Sequence, residues 1–132
     1  MKSGHYLVIE PDGSKRWEYI EHSTWQDQLH DIIGCDCVEQ VHTIKHGLIM
    51  IIDESGRIKK PPKEHNHLAS CFYLGFLWKR CSPYNIVGTV VFADLVPSGE
   101  FDREQTWGPC GAESLEWIAE ITRGIPPCPK EG

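Results

Sequence analysis

Long apolar runs are missing from this sequence: none reaches the roughly 20 residues that a membrane-spanning helix needs, so no helical membrane crossing is expected. Positive charge is scarce, with 13 Lys and Arg against 19 Asp and Glu and a net charge of −6. A nucleic-acid binder of the ordinary kind carries a broad basic face, which disfavours that class of partner. The common catalytic signatures are absent too. There is no Walker-type phosphate loop, no Gly-x-Gly-x-x-Gly, no Gly-x-Ser-x-Gly turn around a nucleophile and no His-Glu-x-x-His. Internal repeats are lacking. At the start, MKSGHYLVIEPDG has a short apolar stretch that runs straight into Glu10, Pro11 and Asp12 with no small-residue cleavage site, so it does not read as an export signal. The expectation is a cytoplasmic chain, in which thiols stay reduced and the six cysteines do not form three disulfides.

What is present is enough for a core. Forty per cent of the 132 residues are hydrophobic and five are Trp, and a chain of this size buries roughly two-thirds of the surface it exposes when unfolded. The charge is uneven. From Asp94 onward there are eight acids against three bases, whereas RIKKPPK (Arg57, Lys59, Lys60 and Lys63) is a local basic cluster.

The apolar runs HYLVIE and RWEYIE flank Pro11-Asp12-Gly13, which predicts a β-hairpin. In STWQDQLHDIIG, Ser23 and Gln26 fit a capping box. Trp25, Leu29, Ile32 and Ile33 build one apolar helix face, and Gly34 ends it. LIMII predicts a central strand before a turn at Asp53–Gly56, and RIKK a short strand ended by Pro61-Pro62. NHLASCFYLGFLW, residues 66–78, predicts a buried helix, and residues 85–96 a second central strand. After Pro97 the chain reads as a loop exposing Phe101 and Trp107. A helix over AESLEWIAEIT then stops at Gly124 and leaves a frayed tail.

The order of these elements resembles a family of small domains of unknown function found in bacteriophages, plasmids and bacteria. The likeness runs over about residues 5–95. It is carried by Glu10-Pro11-Asp12-Gly13, Asp53 to Gly56, Pro61-Pro62 with Asn66, Ala69 and Ser70, and Ile86-Val87-Gly88-Thr89. The resemblance implies an α+β fold and an association with mobile elements. It implies no catalytic residues, and the cysteines and histidines considered next are not part of its pattern.

Cys35-x-Cys37-x₄-His42-x₃-His46 is a candidate Cys₂His₂ zinc set. The gap between the histidines is usual, whereas a single residue between the cysteines is short. If residues 35–41 form a strand, Cys35 and Cys37 share one face and His42 starts on the other. The competing reading is a half-buried strand with exposed turn histidines. His65-Asn66-His67 is not the nuclease motif of similar name, whose residues come from separated parts of a hairpin-and-helix unit. Asn66 reads as a helix cap, and His67 as a loop or helix-start residue. Arg57, Lys59, Lys60 and Lys63, with Asn66, His67 and Ser70 beside a helix start, form a candidate binding loop for an acidic partner or a phosphate. Its competing reading is a solvated turn that guards a sheet edge. Asp53 and Glu54 are adjacent, so in a strand they face opposite ways and make no acid/base pair.

The resulting expectation is a single α+β domain, a mainly antiparallel sheet packed by two or three helices. Residues 1–96 form its core, and residues 97–132 extend it as an acidic loop, helix and tail. The expected function is that of a non-enzymatic phage or mobile-element accessory protein that binds a host macromolecule, most simply a host protein, to blunt a defence system or redirect a host process. Two alternatives are an oligomer that sequesters a phosphorylated or nucleotide ligand on Lys59, Lys60 and Lys63, and a zinc-stabilised interaction module. No other cofactor is expected.

Overall fold

The structure, a computed structural model, describes residues 1–73, 86–97 and 105–129. The opening hairpin joins β1 (Gly4–Ile9) to β2 (Lys15–Ile20). Its loop closes where the Glu10 N–H donates to the Ser14 carbonyl and the Gly13 N–H to the Glu10 carbonyl. Gly13 takes the left-handed position at φ 88°, which a side chain would strain. Asp12 Oδ1 accepts both the amide and the hydroxyl of Ser14 and locks the turn.

A 3-10 turn at His22–Thr24 leads into α1 (Trp25–Ile33). That turn moves the helix start past Ser23, so the expected capping box does not form and the cap, Thr24, makes no side-chain capping bond. Gln28 supplies the polar partner instead. Its Oε1 accepts from the Glu21 amide at 2.7 Å and the Thr24 hydroxyl at 3.1 Å, and its Nε2 donates to the Tyr19 carbonyl at 3.2 Å. The stop at Gly34 is as expected, left-handed at φ 74° with its N–H on the His30 carbonyl.

β3 (Val38–His42) and β4 (Leu48–Asp53) form a second hairpin. β5 (Val90–Pro97) pairs with β4 and β1, and the sheet order is β2-β1-β5-β4-β3 with every pairing antiparallel. A sixth strand that the sequence reading missed, β6 (Gln105–Gly108), pairs with the second half of β5. Asp94 partners both Leu48 and Gly108, whereas Val91 partners both Ile51 and Val8. β1 and β6 therefore share one edge of β5, end to end. α2 (His67–Ser70) and α3 (Ala112–Thr122) complete the elements.

The near-continuous apolar runs of β1, β4 and β5 follow from their central place, because helices cover both faces. On one face Leu7, Ile9, Leu48, Met50, Ile52, Val90 and Phe92 meet Ala69 and Phe72 at α2 and Ile118 of α3. Phe72 packs edge-on against both Phe92 and Trp117, at 5.2 and 5.1 Å between ring centres. On the other face Tyr6, Val8, Ile49, Ile51, Val91 and Ala93 meet Leu29 and Ile33 of α1. The result is an α+β domain with an antiparallel sheet between helical layers, and none of the described helices is long and apolar enough to cross a membrane.

Several boundaries differ from expectation for local reasons. RIKK is not a strand, because the Ser55 carbonyl accepts the amides of both Ile58 and Lys59 and winds the chain into turns. The second central strand starts at Val90, since Gly88 at φ 76° interrupts the extended run. The helix expected over 66–78 ends at Ser70 within the described residues, and positions 74–78 lie outside them. α3 stops at Arg123, left-handed at φ 62°, one residue before Gly124. Beyond it the chain is docked at first: Ile125 packs on the core and the Pro126 carbonyl accepts from Trp17 Nε1 at 2.8 Å. Trp107 also turns inward, edge-on to Trp25 at 5.8 Å, with Nε1 donating to Gln40 at 2.7 Å. Phe101 lies outside the described residues.

Asp94 fastens α3 to the sheet. Its two carboxylate oxygens accept from the Ser114 hydroxyl at 2.7 Å and the Gly111 amide at 2.8 Å, and so cap a helix whose own cap residue is glycine. Asp94→Ala is expected to cost about 1–2 kcal/mol, the worth of a lost cap. Amide exchange should quicken in α3 while β4 stays protected, which hydrogen-exchange mass spectrometry resolves.

Candidate functional site

The motif residues that carry the family likeness are scattered over about 80 positions in sequence, yet they meet at one end of the sheet. β1 and β4 finish there and β5 begins. Asn66 is fully buried at the centre of this end. Its Oδ1 accepts from the Ala69 amide at 3.1 Å, the cap that the sequence suggests. Its Nδ2 donates to the carbonyls of Ile9 and Gly88, each at 2.9 Å, and so ties α2 to β1 and to the approach to β5. The Asn66 backbone amide donates to the Ile86 carbonyl at 2.8 Å.

Ser70 extends the same network. Its hydroxyl donates to the Asn66 carbonyl at 2.8 Å and accepts from the Ile86 amide at 3.0 Å. His65 Nε2 lies 3.1 Å from the same oxygen. Ser70 is buried, and its oxygen ties the start of α2, the approach to β5 and His65 together. His65 and His67 are exposed and stand ring to ring at 5.8 Å, and His67 opens α2.

The loop of residues 54–66 closes over this end and is anchored on one buried carboxylate. Asp53, with its side chain 2% exposed, pairs with the ammonium groups of Lys59 and Lys63. Burial pushes the Asp53 carboxyl up. The Lys59 ammonium, the Ser55 amide and the Lys63 ammonium together outweigh that effect and hold it below the usual carboxylate range. Lys63 also donates to the carbonyls of Ile33 at 2.6 Å and Gly34 at 3.0 Å, where the C-terminal end of α1 attracts a cation. Its stem lies over Gly88, where an added Cβ would fall 2.8 Å from Lys63 Cδ. Two of the four bases of the basic cluster are thus drawn onto the protein's own carboxylate.

The tip of the loop points outward. Ile58 is 80% exposed, the most exposed of the large hydrophobic side chains described, and Lys60, Pro61 and Pro62 beside it are exposed as well. Arg57 is half-buried in the same turn. A cleft of about 400 Å³ lies between the loop and the end of α1, lined by His30, Asp31, Gly34, Cys35, Asp36 and Lys59. Burial and the neighbouring Asp53 raise the Cys35 thiol above its ordinary pKa, so it carries little thiolate at neutral pH.

The zinc candidates are not brought together. Cys35 and Cys37 lie before β3, which begins only at Val38, and the Cys37 carbonyl accepts from the Glu54 amide at the Asp53 end of the hairpin. His42 closes β3 opposite Ile49 and His46 sits in the far turn. At a strand rise of about 3.3 Å per residue, His42 stands roughly 16 Å from Cys37, too far for a shared tetrahedral ion. Among the described residues no group of three or more His, Cys, Asp or Glu is arranged to hold a metal. The reason is that β3 runs between them and carries His42 and the turn with His46 to the far end of the hairpin from the cysteines.

Sequence reasoning missed Asp53 as the anchor. Its only visible signal was a carboxylate closing an apolar run just before four bases, a pattern in which a buried acid needs a cation. No curated protein and no solved structure matches the chain. A family model does match, over residues 1–105, and this span includes every motif gathered at the end of the sheet. The chain belongs to the family described as Domain of unknown function (DUF3846).

Proposed function

We propose that this domain is a non-enzymatic accessory protein of mobile-element type that works by binding a host macromolecule, with blunting of a host defence as the outcome of that binding. The observation that carries the reading is the loop at the Asp53 end of the sheet. Its base is held by Asp53, Lys59 and Lys63, and its tip presents Ile58 at 80% exposure. A segment already held in one shape loses less conformational entropy when a partner orders around it. Two of the lysines that a phosphorylated ligand would require are engaged by Asp53, which favours a macromolecular surface over a small anion.

The test is affinity capture from bacterial cells with the intact chain and with Ile58→Asp as parallel baits. The expected result is one macromolecule retained in defined stoichiometry by the parent chain and at least about tenfold less by the variant, the loss that removal of a central anchor residue brings. The variant should fold normally, because position 58 is exposed. A parent chain that retains no macromolecule at low salt would overturn the reading.

A further inference from the structure

We infer that the face of β2 carrying Lys15, Trp17 and Tyr19 is a binding site for a proline-rich segment of a partner protein, and that the chain's own tail occupies its first turn. None of the residues of the loop over 54–66 takes part, so the site goes beyond the reading above.

The tail is extended for covalent reasons. Residues 125–129 read Ile-Pro-Pro-Cys-Pro. A proline ring fixes φ at about −65°, and a residue before proline is driven out of the helical region into extended backbone. Ile125, Pro126 and Cys128 each precede a proline. The run is therefore held to the left-handed extended helix of about three residues per turn, which makes no internal hydrogen bonds. No helix or strand forms over it. Arg123 and Gly124, at φ 62° and 115°, turn the chain out of α3 and toward β2.

β2 receives the tail through side chains. Lys15, Trp17 and Tyr19 alternate onto one face of the strand. Lys15 Nζ donates to the carbonyls of Thr122 at 3.1 Å and Gly124 at 2.6 Å, and Trp17 Nε1 donates to that of Pro126 at 2.8 Å. Two residues along the strand thus match two along the tail, which runs beside β2 in the strand's own direction. Ile125 packs on the core beneath it. A groove that reads proline-rich segments needs aromatic faces, and donors for the backbone carbonyls that such a helix leaves unused. Trp17 supplies both. A partner that added a strand to the sheet would need ladder amides, which prolines lack.

The tail's own grip is partial. Ile125 and Pro126 are half-buried, whereas Pro127, Cys128 and Pro129 are exposed. Further along the same face stands Tyr19, 42% exposed, with the His5 ring edge-on to it at 5.1 Å. A segment with an apolar residue and a proline at the first turn, and a proline again three residues on, presents one edge to Trp17 and Tyr19 together. It would cover more aromatic surface than the tail does. That surplus is what an incoming segment needs, because a tail joined by a short linker competes at an effective concentration on the order of millimolar. A second copy has no such surplus, since its tail is the same and already seated on its own β2.

The probe is a blocked synthetic peptide of residues 124–129 with Cys128→Ser, titrated into the full chain carrying Ile125→Asp, which loosens the tail. A peptide with its three prolines replaced by alanine is the control, and Pro126→Gly is a second loosened background should Ile125→Asp disturb the fold seen by circular dichroism. The Trp17 indole N–H signal, identified by its loss in Trp17→Phe, reports binding by nuclear magnetic resonance. The expected result is a saturable shift of that signal, with affinity at least about tenfold higher in the loosened chain than in the parent, where the tail competes. Trp17→Phe in the loosened chain, followed through the remaining indole and amide signals, should weaken binding at least about fivefold, the worth of one hydrogen bond. No binding to a folded, loosened chain, equal binding of the proline-free control, or indifference to Trp17→Phe would each overturn the site. Self-association in sedimentation that Trp17→Phe abolishes would mean that tails are exchanged between copies, and would overturn the partner class.

Discussion

Asn66→Ala is expected to lower stability by about 4 kcal/mol, the largest effect of any single polar substitution here. The sum has identifiable parts. Two carbonyls, of Ile9 and Gly88, lose their donor in a site closed to water, and each orphaned group costs roughly 1–3 kcal/mol. The lost cap on the Ala69 amide adds about 1 kcal/mol. For a domain of this size the melting temperature should fall by about 10–15 °C. Asn66→Asp separates the two contributions: it keeps an oxygen for the cap but turns a carboxylate toward two carbonyl oxygens. If the ties to Ile9 and Gly88 matter most, the Asp variant melts no higher than the Ala variant. An Asp variant close to the parent protein would mean that the cap alone accounts for the loss.

The second large effect belongs to Asp53. Asp53→Ala leaves Lys63 half-enclosed without its carboxylate, and removal of one partner from a buried pair typically costs 3–5 kcal/mol. The partial exposure of both lysines screens the interaction and places the expectation at the lower end, about 3 kcal/mol. The loop over residues 54–66 should then become the fastest-exchanging part of the sheet end, read by hydrogen exchange. The double variant Asp53→Ala with Lys63→Met should recover part of the loss, because no uncompensated charge remains at Lys63.

The pH dependence follows from the same pair. The folded state holds the Asp53 carboxyl below its ordinary value, so the folded chain binds fewer protons there than the unfolded chain. Its contribution is fully present above the unfolded pKa and is lost as pH falls through the depressed folded value. Thermal melts of the parent and of Asp53→Ala should therefore converge toward strongly acid pH and differ most at neutral pH. Parallel curves over the whole acid range would remove the carboxylate from the account.

The zinc and lysine-loop readings show why spacing along the chain is a weak guide to a site. Cys35, Cys37, His42 and His46 fall within twelve positions, yet a strand separates them, because a strand carries its residues apart at its full rise. Lys59 and Lys63 read as free bases only until the fold brings Asp53 beneath them. Asn66, Gly88 and the Glu10–Gly13 turn are distant in sequence, and the antiparallel meeting of β1, β4 and β5 makes them neighbours.

By itself the sequence determined the elements whose signals are local. The β1–β2 hairpin follows from its Pro-Asp-Gly turn, α1 from four apolar residues on one face with Gly34 behind them, and β4 and β5 from unbroken β-branched and apolar runs. These features also determined an α+β class, since they depend on periodicity and turn chemistry within a few residues. Only the tertiary structure decided the rest. β6 has too short and polar a sequence to declare itself and exists because β5 offers it an edge. Lys63 is a structural post, Asp53 its anchor and Ile58 the exposed tip because burial and pairing belong to the packed chain, and no local pattern of residues records them.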